Sequence, residues 1–193
     1  MDDALEAGIR ERATAGDLHG AATSALEGYG SEILGYLVAT CGDASVAEEV
    51  FSTMSEDLWK ALPAFRWESS MRTWLYVLAR NAHARYRRTP HEKRRANLSA
   101  LGEVEAAIRT RTRPWLRTEV KDRFTALRDE LDEGERSLLV LRVDRRMPWA
   151  DIAQVLGEDD ANAVPRIRKR FSLLKAKLHE RARAAGLIDT DEG

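Results

Sequence analysis

The apolar residues of this chain recur at helical spacing, and that periodicity limits its possible folds more than any other feature. Ile33, Leu34, Leu37 and Val38 fall at i, i+1, i+4 and i+5, and Trp74, Leu75, Leu78 and Ala82 repeat the stripe. Leu138, Leu139, Leu141 and Val143 follow it less strictly. No stretch sustains the apolar/polar alternation of a strand, and no Asn-Gly or Asp-Gly hairpin signal occurs. The prolines Pro63, Pro90, Pro114, Pro148 and Pro165 stand where helices should start or stop. Ser45 with Glu48, and Asp132 with Glu135, have capping-box spacing. These patterns predict an all-α chain.

Charge then divides the chain. The 193 residues sum to a net charge of −1, which on its own argues against a polyanionic partner. By segment the balance is −10 over 1–58, +8 over 59–100, −3 over 101–162, +7 over 163–186 and −3 over 187–193. Fields are screened within about 8–10 Å, so distant acids do not cancel a local basic block. Two basic blocks in an acidic background therefore leave nucleic acid open as a partner. No run approaches the roughly 18 apolar residues of a membrane span. Met1-Asp2-Asp3 lacks the apolar core of a secretory signal, and a single cysteine, Cys41, makes no internal disulfide. The expectation is a cytoplasmic protein without membrane insertion.

The run His91-Glu92-Lys93-Arg94-Arg95 and the Arg/Thr alternation at 109–113 have little to bury. Their only apolar cluster is Leu98, Leu101, Val104 and Ile108, enough for one short helix. The predicted organisation is a helical domain over 1–89, a flexible linker over 90–114, a second helical domain over 115–187 and an acidic tail over 188–193.

In the second domain, Ile152, Val155 and Leu156 form an apolar face, Ala153 is small enough for a close crossing, and Gly157 suits a left-handed helix end. A polar turn follows, with Asn162 available as N-cap. The next helix sets Val164, Ile167, Phe171, Leu174 and Leu178 on one stripe and Arg166, Arg168, Lys169, Arg170, Lys175 and Lys177 elsewhere. A short helix, a glycine-bearing turn and a basic second helix describe a helix-turn-helix, although ordinary helical hairpins share part of the pattern. Such a second helix enters the major groove, with its basic fringe on phosphates.

The first domain combines aromatic and basic residues between Phe65 and Arg88. A loop rich in aromatic and hydroxyl groups leads into a helix with Ser70 as predicted N-cap. Arg80, Asn81, Arg87 and Arg88 project from its polar side. Aromatics beside arginines suit stacking and backbone pairing with single-stranded nucleic acid. Trp74 reads as core, and Trp67, flanked by charge, as a stacking surface.

Phe65 through Arg88, with Ser-Ser-Met-Arg-Thr-Trp-Leu-Tyr and Ala-Arg-Asn at its centre, resembles region 2 of bacterial RNA polymerase sigma factors of the extracytoplasmic-function group, in the sigma-70 family. Gly42-Asp43 through Trp59 resembles the family's polymerase-binding helix, and Leu131 through Gly157 resembles its region 4. The resemblance implies a two-domain transcription initiation factor, not an enzyme, that binds core RNA polymerase and promoter DNA. It assigns Phe65, Arg66, Trp67, Ser69, Ser70, Arg72, Arg80, Asn81 and Arg87 to the minus-ten element, with a flipped base in the 65–70 loop. Arg166, Arg168, Lys169, Arg170 and Lys175 fall to the minus-thirty-five element. Glu48, Glu49, Ser52, Thr53, Asp57 and Trp59 fall to the β′ clamp helices, with the β flap as a further contact and an anti-sigma factor as a possible partner. The chain departs from the family pattern at Ser52-Thr53, where a Gln-Glu or similar pair is usual, at Arg85 in place of a common Asp, and at Pro165.

Two other readings share these residues: a stand-alone helix-turn-helix regulator, and a sigma-like adaptor without promoter opening. Catalysis fits poorly. His19, His83, His91 and His179 are scattered without metal-ligand spacing, Gly28-Tyr29-Gly30 lacks a third glycine, and no Walker A motif occurs. No cofactor and no metal is expected. Cys41 has no neighbouring base and reads as buried filler.

Overall fold

A computed structural model of the protein describes residues 2–89 and 130–187. Every regular element among them is helical, in agreement with the periodicity. The N-terminal part comprises α1 (Asp3–Thr14), α2 (Leu18–Cys41), α3 (Ala44–Ala61) and α4 (Met71–Arg88), with a 3-10 turn at Leu62–Ala64 before the aromatic loop. The C-terminal part comprises α5 (Glu133–Leu139), α6 (Trp149–Leu156) and α7 (Ala163–Ala184). The expected linker at 90–114 and the acidic tail at 188–193 lie outside the described residues.

Local chemistry sets the helix ends. Ser70 caps α4, its Oγ accepting from the Thr73 amide at 3.0 Å. Asp132 and Glu135 form the expected capping box at the start of α5. Gly157 closes α6 at φ 70°, a left-handed conformation that glycine adopts without steric cost. Two expectations are corrected. The N-cap of α3 is Asp43, which accepts from the Val46 amide at 3.0 Å, so the Ser45/Glu48 spacing does not form a capping box. Asn162 occupies the N-cap position of α7 without a side-chain capping bond; Asp160 instead accepts from the Asn162 amide at 2.9 Å.

The weak periodicity after Leu139 also has a cause. Val140–Asp144 forms a single π-helical turn, in which the Arg145 amide reaches back five residues to the Val140 carbonyl at 2.9 Å. The extra residue per turn shifts the apolar stripe, burying Val140 and Leu141 while Val143 is left 47% exposed.

The seven helices among the described residues all contribute to one main apolar core, and Leu131, Leu139 and Leu174 form a small second cluster. Ile33, Leu37, Met54, Leu58 and Leu75 from the N-terminal part are continuous with Leu138, Leu141, Met147, Ile152 and Ile167 from the C-terminal part. α6 lies along α4, while α5 lies along α2. Gly35 on α2 leaves room for the Arg145 guanidinium, which would stand 2.8 Å from a Cβ there. Polar links cross the same boundary. The Tyr36 and Ser137 hydroxyls pair at 2.8 Å in a buried site, and Thr73 Oγ1 donates to Asp151 at 3.2 Å. Arg72 is paired with Glu32, its Nε 2.8 Å from the carboxylate, and its Nη2 donates to the Arg145 carbonyl at 3.1 Å.

Candidate nucleic-acid interface

The start of α4 is held by side chains from two other segments of the chain. A helix leaves its first amides without intrahelical partners, and a functional side chain placed there is only as well positioned as those amides are satisfied. Ser70 takes the Thr73 amide, while Glu6 of α1 takes the other two: its carboxylate accepts from Met71 N at 2.8 Å and from Arg72 N at 3.0 Å. Tyr29 donates to the same carboxylate at 2.9 Å, and burial together with that hydrogen bond raises the tyrosine pKa. The first 20 residues contain no Phe, Tyr or Trp and belong to the acidic segment 1–58. They supply the group that fixes the first turn of α4. Glu32, equally unmarked in sequence, holds Arg72 and accepts from the Tyr76 hydroxyl at 2.7 Å. Burial opposes the charge on Arg72, and the Glu32 carboxylate more than restores it.

The loop before α4 is an aromatic shelf. Phe65 stacks on Trp74, centroids 4.2 Å apart and planes within 12°. Trp67 packs against Phe65 at 4.8 Å, with the Arg10 guanidinium 5.7 Å from its own ring centre. Trp67 is therefore half-buried rather than the free stacking surface predicted, and Trp74 is equally half-buried rather than core. Trp67 also sits at φ 58°, an uncommon conformation for a bulky residue that costs on the order of 1 kcal/mol or more. Behind the loop lies a cleft of about 310 Å³ whose walls include Phe65, Arg66, Ser69, Trp74 and, from α6, Gln154. Arg66 is exposed and pairs with Glu68 at 3.5 Å. The chemistry this offers is a flat apolar floor for a planar ring beside hydroxyl and guanidinium groups.

Along α4 the remaining expected contacts differ in their freedom. Asn81 is exposed and Arg80 half-buried. Arg87 is ion-paired with Glu133 of α5, whose other oxygen lies 3.3 Å from His83 Nδ1. Burial, with Arg87 and Arg136 nearby, holds the His83 pKa below its ordinary value. Arg80, Arg87, Arg88 and Arg170 line a second cleft of about 520 Å³ where α4 faces the C-terminal helices. Thus Arg72 and Arg87, both expected at DNA, are engaged by protein groups.

On α7, Ile167 and Leu174 are buried on the predicted stripe, leaving Arg166, Arg168, Lys169, Arg170 and Lys175 exposed. The acidic turn before α7 reaches two of them. Arg166 Nε donates to Glu158 at 2.8 Å and its Nη2 to Asp160 at 2.7 Å, and Arg170 also pairs with Glu158. Burial acts to raise the Glu158 pKa, but the two guanidiniums outweigh it and hold the carboxyl below its usual value; Arg166 likewise lowers Asp160. Arg168 lies 5.8 Å from the Trp149 ring centre and Lys175 5.7 Å from that of Phe171.

On α3, Ser52 and Thr53 are exposed and Trp59 is 39% exposed with His19 against its ring. Glu49 is half-buried. Glu48 corrects the expectation of an exposed surface contact: it is 8% exposed. Asp57 is engaged by Arg85, the residue that departs from the family pattern. Cys41 is partly buried, and burial pushes its thiol up to about 12, which makes it a poor nucleophile. Among the described residues no helix is long and apolar enough to cross a membrane, and no group of three or more His, Cys, Asp or Glu side chains is arranged to hold a metal ion.

Comparison with known proteins adds to this geometry. The family model for Sigma-70 region 2 matches residues 26–94, which include α3, the aromatic loop and α4. The RNA polymerase sigma-H factor of Pseudomonas aeruginosa is 31% identical over 136 residues, covering 66% of this chain and 70% of that protein. The RNA polymerase sigma factor YlaC of Bacillus subtilis is 26% identical over 132 residues, covering 67% of this chain and 75% of that protein.

Proposed function

Since this chain belongs to the sigma-70 family of RNA polymerase sigma factors and is a transcription initiation factor of its extracytoplasmic-function group, we propose that its two basic surfaces divide promoter reading between them. The cleft at Phe65, Ser69 and Trp74 takes one unstacked base of the minus-ten element. Extruding that base costs a few kcal/mol, offset by stacking and by hydrogen bonds to its edge. Arg66, Trp67, Ser70, Arg72, Arg80, Asn81 and Arg87 contact the flanking strand. The α7 residues Arg166, Arg168, Lys169, Arg170 and Lys175 enter the major groove at the minus-thirty-five element. Ser52, Thr53 and Trp59, with Glu49 and Asp57 at the margin, face the β′ clamp helices of core polymerase, and the C-terminal helices meet the β flap.

The observation that carries this reading is the aromatic cleft next to an arginine-lined helix whose first turn is fully capped. A cleft of about 310 Å³ has room for a single base stacked on its aromatic wall. The adaptor alternative is separated by run-off transcription, which an adaptor without promoter opening would not support. The stand-alone regulator is separated by experiment. The full chain should co-purify with core polymerase and shift promoter DNA only when core is present. A tight shift by the chain alone, with no co-purification, would favour the regulator instead.

A further inference from the structure

Helix α1 meets the loop before α4 at two points. Glu6 and Arg10 stand four residues apart, the spacing that sets two side chains on one helix face. Glu6 accepts from Met71 N at 2.8 Å and from Arg72 N at 3.0 Å, where the loop ends and α4 begins. The Arg10 guanidinium lies 5.7 Å from the ring centre of Trp67, in the middle of the loop. Only Glu68, Ser69 and Ser70 run between the two contacts, so both ends of this hydroxyl-bearing stretch are tied to the same helix. α1 is itself anchored. Ile9 is fully buried, Leu5 packs where a side chain larger than that of Gly28 would collide with it, and Tyr29 orients the Glu6 carboxylate from 2.9 Å.

Trp67 needs such a hold. It sits at φ 58°, a conformation in which a bulky residue is strained and from which an untethered loop would relax. In that conformation its ring packs on Phe65 at 4.8 Å, and Phe65 stacks on Trp74 at 4.2 Å to form the wall of the base cleft. Arg10 is exposed and makes no ion pair among the described residues, so no carboxylate competes with the electron-rich ring for its cation. Arg10, Trp67, Phe65 and Trp74 thus form one series of contacts from α1 to the surface on which a base would stack. Neither Glu6 nor Arg10 lines the cleft, and any effect they have on a bound base passes through the loop.

We propose that Glu6 and Arg10 are positioning residues for the minus-ten base: α1 sets the shape of the cleft, and with it the preference for a stacked base over an empty site, without touching DNA. This rests on the base-cleft reading proposed above. The competing role for Arg10 is a phosphate contact, which would weaken the binding of every strand alike and reduce the salt dependence.

The test uses the full chain with core polymerase and single-stranded oligonucleotides carrying the non-template minus-ten segment of a promoter mapped by its transcript ends. The strand is intact or has one abasic site, moved along it position by position. Wild type should lose about tenfold in affinity at the one position whose base enters the cleft. Arg10→Ala should bind the intact strand about threefold more weakly and that abasic strand equally well, so the penalty falls to about threefold. Arg10→Lys keeps a cation and should restore the penalty. Arg12→Ala removes the same charge from the same helix and should leave it at about tenfold. A penalty that stays at its wild-type value in Arg10→Ala overturns the proposal, whether neither strand weakens or both weaken equally through a lost phosphate contact. Amide hydrogen exchange of the free chain reads the same hold without DNA. Arg10→Ala and Glu6→Gln should each speed exchange across 67–72 at least about threefold relative to Arg12→Ala, with α3 unchanged, and equal rates overturn the proposal. If no abasic position matters to the wild-type complex, the base-cleft reading fails instead, and the exchange comparison still decides whether α1 positions the loop.

Discussion

Glu6→Ala should destabilise this protein far more than its place in an unremarkable N-terminal helix suggests. The carboxylate accepts from Met71 N at 2.8 Å, Arg72 N at 3.0 Å and the Tyr29 hydroxyl at 2.9 Å. Hydrogen bonds to a charged group contribute about 1.5–3 kcal/mol each when buried. This site is only part-buried, and water reaches some of the freed amides in the variant, so the gross sum overstates the loss. The negative charge at the α4 N-terminus adds about 0.3–1 kcal/mol through the helix dipole. A net cost of about 3 kcal/mol follows, which for a chain of this length lowers Tm by about 6–12 °C. Glu6→Gln keeps one carbonyl acceptor and should lose roughly half as much. Glu11→Ala, exposed on the same helix, should stay within about 0.5 kcal/mol. Thermal and urea unfolding of the three variants measure this directly. A Glu6→Ala chain as stable as Glu11→Ala would refute the idea that α1 secures the first turn of α4.

Further expectations can be checked on the same protein. Asn81→Ala should impair promoter opening, seen by permanganate footprinting, and leave co-purification with core unchanged. Loss of core binding would misplace that helix face. The Glu158 pKa is depressed in the folded state, so its contribution is present above the unfolded value near 4.5 and is lost as pH falls through the lower folded one. The difference in urea midpoint between wild type and Glu158→Gln should therefore be constant near neutrality and vanish in acid. A difference that grew on acidification would reverse the sign of this linkage. A double-mutant cycle of Tyr36→Phe with Ser137→Ala should give a coupling of about 1 kcal/mol, since their buried hydroxyls pair at 2.8 Å. Zero coupling would mean that the two halves do not meet there in solution.

What the sequence disclosed was decided by neighbours in the chain. Ser70, Asp132 with Glu135, and Gly157 were legible because a cap depends on residues within a turn of the helix end. Ser45 misled for the same reason: Asp43, two positions earlier, is an equally good cap and wins the helix start. The apolar stripe of α7 was readable from its period. What the C-terminal helices pack against was not, because a period shows which face is buried and is silent about its partner. Glu6 and Glu32 escaped notice because their partners lie 23 to 66 positions away in the sequence. The segment charges marked two basic blocks, yet the interleaved signs of 101–162 concealed that acids such as Glu133 and Asp151 meet residues of α4.

Run-off transcription from a promoter mapped by transcript ends after overexpression bears most directly on the central claim. Core polymerase with the full chain should produce a discrete transcript that core alone does not, and Trp74→Ala, which removes the floor of the base cleft, should reduce it by about tenfold or more. No transcript above core alone, from a promoter whose transcript rises with the chain in cells, would contradict the account.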